Sequence, residues 1–410
     1  MNYELFIAKR IIGNKTYKSS VSAPIIKIGI AAIAIGIIVM LIAIATGLGL
    51  QQKIKDKVVA FNGDITITNY DTNESDESQN PISTQQEFYP NFNSIEGISH
   101  IQAVATKFGV IRTTEDFEGV IVKGVGSDYK WDYFSEFLVE GRLPNYLDKR
   151  NEEVLISNYL AKRLGFKLGD KFQTLFAESI DQLPRIINFE IVGIYNSGFQ
   201  ELDEKYCIAD IRHIQRLNKW SSDQIGNFEV FIDDFSQLEE KGKEVYQNIP
   251  SLLNATTVAE KYYSIFEWIK IFDNNTYGII AIMILVAGIN MITALLVLIL
   301  ERTQMIGILK ALGSNDRSIR KVFLYNASYL IGLGLLWGNC IGLGFLFAQK
   351  YFKLFPLNPD VYYVTEAPVY ISFDYIILLN VGTFIVCMLM LLIPSYIITK
   401  ISPVTAIRFD

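Results

Sequence analysis

His100 and His213 are the only imidazoles in the chain, and no H-E-x-x-H, C-x-x-C or G-x-x-x-x-G-K-[ST] pattern accompanies them. The residues therefore supply neither a metalloprotease zinc helix nor a glycine-rich loop whose amides cradle nucleotide phosphates. Asp233 with Asp234 and Glu239 with Glu240 are the nearest approach to a carboxylate dyad. Acid pairs in polar, helix-rich sequence are far more often solvated than catalytic. Three cysteines make no disulfide framework: Cys340 and Cys387 lie in apolar runs, and Cys207 is alone in the polar part. No catalytic residue, metal ligand or cofactor site is expected in this chain, so its function is not that of an enzyme.

What the sequence does contain is apolar surface in need of a solvent. Of 410 residues, 50% are hydrophobic and 20% charged, where soluble domains carry roughly 25% charged residues. Four charge-free runs, 28–50, 277–300, 323–349 and 375–399, each exceed the roughly 20 residues that a membrane-crossing helix needs. The first is too long for the core of a cleaved signal peptide, roughly 7 to 15 residues, and reads as a retained anchor. Lys9, Arg10, Lys15, Lys18 and Lys27 precede it, Arg302, Lys310, Arg317, Arg320 and Lys321 lie between the second and third runs, and Lys400 and Arg408 follow the fourth. Positive loops stay in the cytoplasm, which places 1–27, 301–322 and 400–410 inside and 51–276 and 350–374 outside. The interior polar residues of the runs are Asn290, Asn326, Asn339 and Asn380. Ion-driven carriers use titratable relays at that depth, whereas Asn290 and Asn339 are expected to bond across helices. Leu5, Phe6, Ile7, Ile11 and Ile12, interspersed with Glu4, Lys9 and Arg10, form an amphipathic segment suited to the inner membrane surface.

The insertion 51–276 carries 36 acidic residues against 23 basic ones, a net charge of −13. That balance argues against nucleic acid or an anionic membrane as direct partner. Runs rich in Val, Ile, Phe and Thr predict strands over 64–68, 102–111, 119–125, 153–156, 171–176, 188–194 and 227–232. Helical periods are expected over 157–164, ended by Gly165, and over 210–217 and 235–249. The fold class is thus a four-helix membrane protein with a large α+β domain inserted between the first two spans, with one lobe or two. The stretch 69–80 is too polar to bury itself and is expected to be a loop. No repeat of fixed period is present.

The segment between the second and third runs reads Glu301-Arg302-Thr303-Gln304-Met305-Ile306-Gly307-Ile308-Leu309-Lys310-Ala311-Leu312-Gly313-Ser314. Met305, Ile308, Leu309 and Leu312 recur at helical spacing, and Gly313 can adopt the left-handed closing conformation. Ser314 is the expected cap of the next helix, with Asp316 in its first turn. The result is a helical hairpin whose apolar stripe could insert into a groove on a soluble protein or pack against the neighbouring span.

This run closely resembles the coupling segment of the FtsX-like and MacB-like ABC transporter permeases. The resemblance implies four spans, a periplasmic domain between the first two, and a cytoplasmic hairpin docked on a separate ATPase subunit, which would hold ATP and Mg. Phe6-Ile7-Ala8-Lys9-Arg10, Ser19-Ser20-Val21-Ser22, Asp360-Val361-Tyr362-Tyr363-Val364, Pro368-Val369 and the ending Pro403, Ala406, Ile407 and Arg408 resemble the lipoprotein-releasing (Lol) permeases of the C and E types. So do Gly141-Arg142-Leu143, 153–157, Leu160-Ala161, Gly169-Asp170-Lys171, 191–194, Ser197-Gly198 and Asp203 in the large domain.

That likeness implies an inner-membrane permease, working as a homodimer or with a sister permease, that extracts or releases lipoproteins toward a periplasmic carrier. The coupling residues would be Glu301, Arg302, Met305, Gly307, Ile308, Leu309, Lys310, Leu312, Gly313 and Ser314. A cleft for acyl chains, membrane lipid included, would draw on Ile37, Met40, Leu41, Ile44, Met283, Val286 and Met291, which equally suit helix packing. In Lol permeases of the C type a protruding hook catches the carrier. The matching stretch 178–187, with Leu183-Pro184-Arg185, is short, and a plain β-hairpin is the alternative. A MacB-like mechanotransducing export permease and an FtsX-like relay to a cell-wall hydrolase are the other functions this layout allows. In MacB the ATPase is fused ahead of the first span, whereas 27 residues precede it here, and FtsX relays carry a smaller insertion.

Overall fold

A computed structural model describes residues 3–13, 22–71, 76–147, 149–177, 183–358, 362 and 364–402. Outside them lie part of the polar stretch 69–80, the tip of the hook-like segment, Ser19-Ser20-Val21, most of the 360–364 motif and the chain's last eight residues. The described chain divides into two compact units, Met1–Leu50 with Ile269–Pro356 and Ala367–Asp410, and Gln51–Trp268 with Leu357–Glu366.

The first unit holds the apolar sequence. Four helices are long and apolar enough to cross a membrane: Pro24–Asn62, Tyr263–Glu301, Asp316–Phe352 and Phe373–Lys400. Their packing is set by small residues. Gly334, Gly338 and Gly342 recur every fourth residue on the third span, and a Cβ at each would lie 2.7 Å from Ile33 Cβ, 2.8 Å from Ile37 Cβ and 3.0 Å from Leu41 Cδ1. The glycines thus open a groove for the branched side chains of the first span, the small-residue contact that membrane helices use where lipid offers no hydrophobic drive. Asn339 and Asn380 exchange reciprocal amide hydrogen bonds, 2.6 and 3.0 Å, between the third and fourth spans. Asn290 does not cross to a neighbour as expected: it lies on a half-exposed face where its own helix is the nearest acceptor, and it donates to Val286 O. The N-terminal helix Tyr3–Gly13 forms with divided faces, Ala8 and Ile11 buried in a cluster with Val322 while Leu5 and Phe6 stay exposed.

The first helix, Ser22–Asn62, does not stop where its charge-free run stops. Beyond Leu50 its surroundings change: Gln52, Lys53 and Asp56 are exposed beside buried Ile54, and from Lys57 to Asn62 every position is buried. The second unit is built on strands β1 (Ile65–Asn69), β2 (Ile82–Ser83), β3 (Ile98–Arg112), β4 (Phe117–Val125), β5 (Leu138–Gly141), β6 (Glu153–Ser157), β7 (Lys171–Phe176), β8 (Arg185–Tyr195), β9 (Tyr206–Asp210), β10 (Gln224–Ile225), β11 (Asn227–Ile232) and β12 (Leu253–Thr257). Among the described residues, one sheet runs β12-β1-β11-β3-β4-β9-β6-β8-β5, with β7 pairing β3 and β8, and β2 with β10 stands apart. β4 with β9 and β6 with β8 are parallel, and the remaining pairs are antiparallel. Helix Asn158–Leu164 opens with the Ser157 side chain accepting from Leu160 N–H and closes at left-handed Gly165, and Asp210 caps Ile211–Leu217 in the same way. The α+β reading therefore holds, with a single main sheet across the domain.

Candidate functional site

The hairpin after the second span consists of helix Thr303–Ala311, a turn, and the start of Asp316–Phe352. Gly313 has φ +91°, the left-handed conformation that a glycine supplies without a Cβ clash, and Ser314 N–H closes the turn on Leu309 O at 3.0 Å. The next helix is capped by Asn315, whose side chain accepts from Arg317 N–H, and not by Ser314. Ser314 Oγ is instead 3.3 Å from Tyr3 OH, and Ser318 Oγ donates to Glu4 at 3.1 Å.

The four apolar positions do not form one stripe. Residues 305 and 309 project to one side of the helix and 308 and 312 to the next, so Met305 and Leu309 pack with buried Ile306 against the spans while Ile308 is 46% and Leu312 77% exposed. Gly307 is buried, and Glu301, Gln304, Ala311 and Asn315 continue the exposed side. Lys310 fastens the inward side: its ammonium donates to Thr399 O and Ile401 O and pairs with Asp316 at 2.9 Å. A short helix is thus held from behind by packing and ion pairing and presents Ile308, Ala311 and Leu312 outward. An unpartnered apolar ridge of this kind can insert into a groove on another protein.

The cleft candidates scatter. Ile37, Met40 and Leu41 are buried in helix packing, Ile37 and Leu41 in the glycine groove, and Met291 is buried beside Gly29. Ile44 and Met283 are half-buried, and Val286 is 42% exposed. The signal that sequence reading passed over is the glycine every fourth residue, which assigns Ile37 and Leu41 to packing. At the hook-like segment, β7 and β8 stay paired up to Phe176 opposite Arg185, and residues 178–182 lie outside the described residues. Leu183 is 90% exposed, and Arg185 donates to Arg216 O.

The residues that could have done chemistry are occupied otherwise. His213 donates from Nε2 to Asn151 O at 2.6 Å and burial pushes its pKa down, while His100 meets Asp128 O at 2.9 Å. The acid pairs 233–234 and 239–240 are exposed, and Asp234 caps a turn by accepting from Ser236 N–H. Burial pushes the Cys207 thiol up to about 12, which leaves it un-ionised and unreactive at neutral pH. No group of three or more His, Cys, Asp or Glu arranged to hold a metal occurs among the described residues.

Sequence reading also missed a buried charged cluster in the second unit. Lys123, 1% exposed, pairs with Glu229 at 2.7 Å and donates to Phe61 O, and Gln102 Nε2 donates to the same carboxylate. The period-two strands 119–125 and 227–232 that hold Lys123 and Glu229 were legible, but which strands pair was not.

Four helices long and apolar enough to cross a membrane, an α+β domain inserted between the first two, and an outward apolar ridge on the loop between the second and third give the layout of a membrane permease. The description MacB-like periplasmic core domain matches residues 28–245, and FtsX-like permease C-terminal matches 277–403. The chain belongs to this MacB- and FtsX-type family of ABC transporter permeases, whose subunits are not themselves catalytic. The lipoprotein-releasing system transmembrane protein LolC of Haemophilus influenzae is 22% identical over 92% of each chain, and LolE of the same organism 22% identical over 98% of each. The solved periplasmic region of MacB from Actinobacillus actinomycetemcomitans covers 50% of this chain and 95% of its own, at 16% identity and a TM-score of 0.33.

Proposed function

We propose that this chain is the permease subunit of an ABC transporter that extracts or releases lipoproteins from the inner membrane, driven by a separate ATPase docked on the 301–320 hairpin. The observation that carries the docking is the outward ridge Ile308, Ala311 and Leu312 on a helix whose opposite side is fixed. The cargo class rests on relatives named for lipoprotein release that align over nearly the whole chain. Two permease chains, identical or sister, would pair, with both termini and the hairpin cytoplasmic as the positive residues require. Acyl chains prefer apolar surroundings by roughly 0.8 kcal/mol per CH₂, and Val286, with exposed Ile282 and Ile289 on the same helix, offers such a surface.

Purification of the full chain from its own membranes tests this. ATPase copurification should occur with the wild type and fall at least tenfold in Leu312→Asp or Ile308→Asp, since a charge buried without a partner in that contact costs several kcal/mol. A photo-crosslinking residue at Val286 should capture an acylated protein. Undiminished ATPase binding by both Asp variants would overturn the docking assignment, and capture of phospholipid alone would move the cargo reading to a MacB-like export permease.

A further inference from the structure

The last turn of a helix leaves carbonyls without intrahelical donors, and those of Ser22–Asn62 are all answered inside the second unit. Val59 O accepts from Gly63 N–H at 2.7 Å, Ala60 O from Tyr129 OH at 3.4 Å, Phe61 O from Lys123 Nζ at 2.7 Å and Asn62 O from Thr66 Oγ1 at 3.1 Å, while Val58 O, one position earlier, accepts from Asn62 Nδ2 at 3.1 Å. The Lys123 ammonium is also held by both oxygens of Glu229, at 2.7 and 2.9 Å, so it reaches the helix end as a neutralised, buried clamp. The helix thereby ends against β4 and β11 through buried bonds.

Asn62, itself 4% exposed, uses its remaining oxygen in another direction. Oδ1 accepts from Lys261 Nζ and from Tyr262 OH, each at 3.1 Å. These two residues immediately precede Tyr263–Glu301, the helix of the second span. One buried side chain therefore joins the end of the first long helix to the beginning of the second, beside the clamp that fixes the first to the sheet. β1, which follows the first helix, and β12, which leads toward the second, already pair over Ile65–Asn69, and Asn62 adds a direct side-chain tie between the helix ends themselves. A hydrogen bond to a buried acceptor is costly to leave unmade, which suits a positioning role.

We infer that Asn62 is a positioning residue that makes the outer ends of the first and second helices move as one body with the sheet, so that motion driven by a nucleotide-hydrolysing partner reaches the domain. This rests on the permease reading above.

The test uses the full complex, the chain with the ATPase that copurifies with it, in lipid nanodiscs, and follows backbone hydrogen exchange over 206–232 and 258–268 with and without ATP. Wild type should show an ATP-dependent change in exchange. Asn62→Leu, close in size but unable to accept, should assemble and hydrolyse ATP as wild type does while losing that change. Asn62→Asp, which keeps an oxygen for Lys261 and Tyr262 but cannot donate to Val58 O, should retain it, an outcome that separates coupling from local capping. Asn62→Leu responding like wild type, or Asn62→Asp failing alongside it, would overturn the inference while leaving the permease reading intact. Should Asn62→Leu not fold, Lys261→Met with Tyr262→Phe removes both donors and leaves the helix cap, and a full response by that variant overturns the inference equally. A wild type that binds no ATPase or shows no ATP-dependent change overturns the permease reading and this inference with it.

Discussion

Asp64 sits two residues past the first helix and closes the same corner of the domain from the strand side. Its carboxylate accepts Ile232 N–H at 3.0 Å, its main-chain oxygen accepts Val258 N–H at 2.8 Å, and it is 4% exposed. Burial pushes its carboxyl up to about 6. In the unfolded chain such a carboxyl titrates near 4, so between about pH 4 and 6 the folded state keeps a proton that the unfolded state has released. The protonated form favours folding, and that contribution is complete below about pH 4 and lost as pH rises through about 6. Asp64→Asn retains an oxygen for Ile232 N–H and carries no charge to desolvate. It should stabilise the domain by about 1–3 kcal/mol at pH 7.5, with the gain vanishing near pH 4. Thermal unfolding of the detergent-purified chain at the two pH values measures this. A gain equal at both would mean that Asp64 ionises in the fold as it does in water. Residue types alone could not reveal what holds the histidines: their number and spacing argued against catalysis, but only the fold shows the Nε2 of each spent on a main-chain carbonyl.

Elements were legible where their pattern is local. β7 and β11 fall on the expected 171–176 and 227–232, and the helices after Ser157 and Asp210 begin at the capping residues their sequences offer. β9, Tyr206-Cys207-Ile208-Ala209-Asp210, was not legible: it is central and buried at every position, so it shows no alternation, and it is too short to separate from its flanking helices. The long helices outran their expected ends because hydropathy marks where lipid is needed, while 51–62 continues as a helix that is buried throughout from Lys57 to Asn62. The hairpin's apolar positions were found but their division into inward and outward sides was not, since spacings of three and four both count as helical neighbours. In the spans, the glycine groove makes a sharp prediction. Gly338→Val would drive a side chain against Ile37 Cβ at 2.8 Å and Ala34 O at 2.9 Å, whereas Gly332 and Gly344 on the same helix have nothing within 4 Å. The Gly338 variant should lose about 1–3 kcal/mol of stability, the usual range for overpacking, and Gly344→Val should stay near wild type. Matching losses of thermal stability in detergent for the two variants would remove the groove as the determinant of first-to-third span packing.

At the scale of the whole chain, the division into two units follows the charge map: the unit holding 51–268 has acid in excess of base, whereas the hairpin and the N-terminal segment have base in excess of acid. Positive charge near span ends resists translocation, whereas a large acidic domain crosses regardless of its charge. Four spans then require both termini and the hairpin on one side and the acidic domain with the 353–371 segment on the other, so a single misplaced loop would break the scheme. Single cysteines report it, in a background where Cys207, Cys340 and Cys387 are replaced. Leu252, 75% exposed, and the exposed Asn358 serve the outer side, and exposed Ala311 the inner. In cells with a permeabilised outer membrane, an impermeant thiol reagent should label Leu252→Cys and Asn358→Cys at once and Ala311→Cys only after the inner membrane is opened. Prompt labelling at 311 would put the Ile308–Leu312 ridge outside, where no cytoplasmic ATPase could reach it, and the docking assignment would fall together with the topology. Labelling at 252 but not at 358 would be a narrower failure: it would leave the domain outside and return the third and fourth spans to the same face, making them a re-entrant pair in place of two crossings.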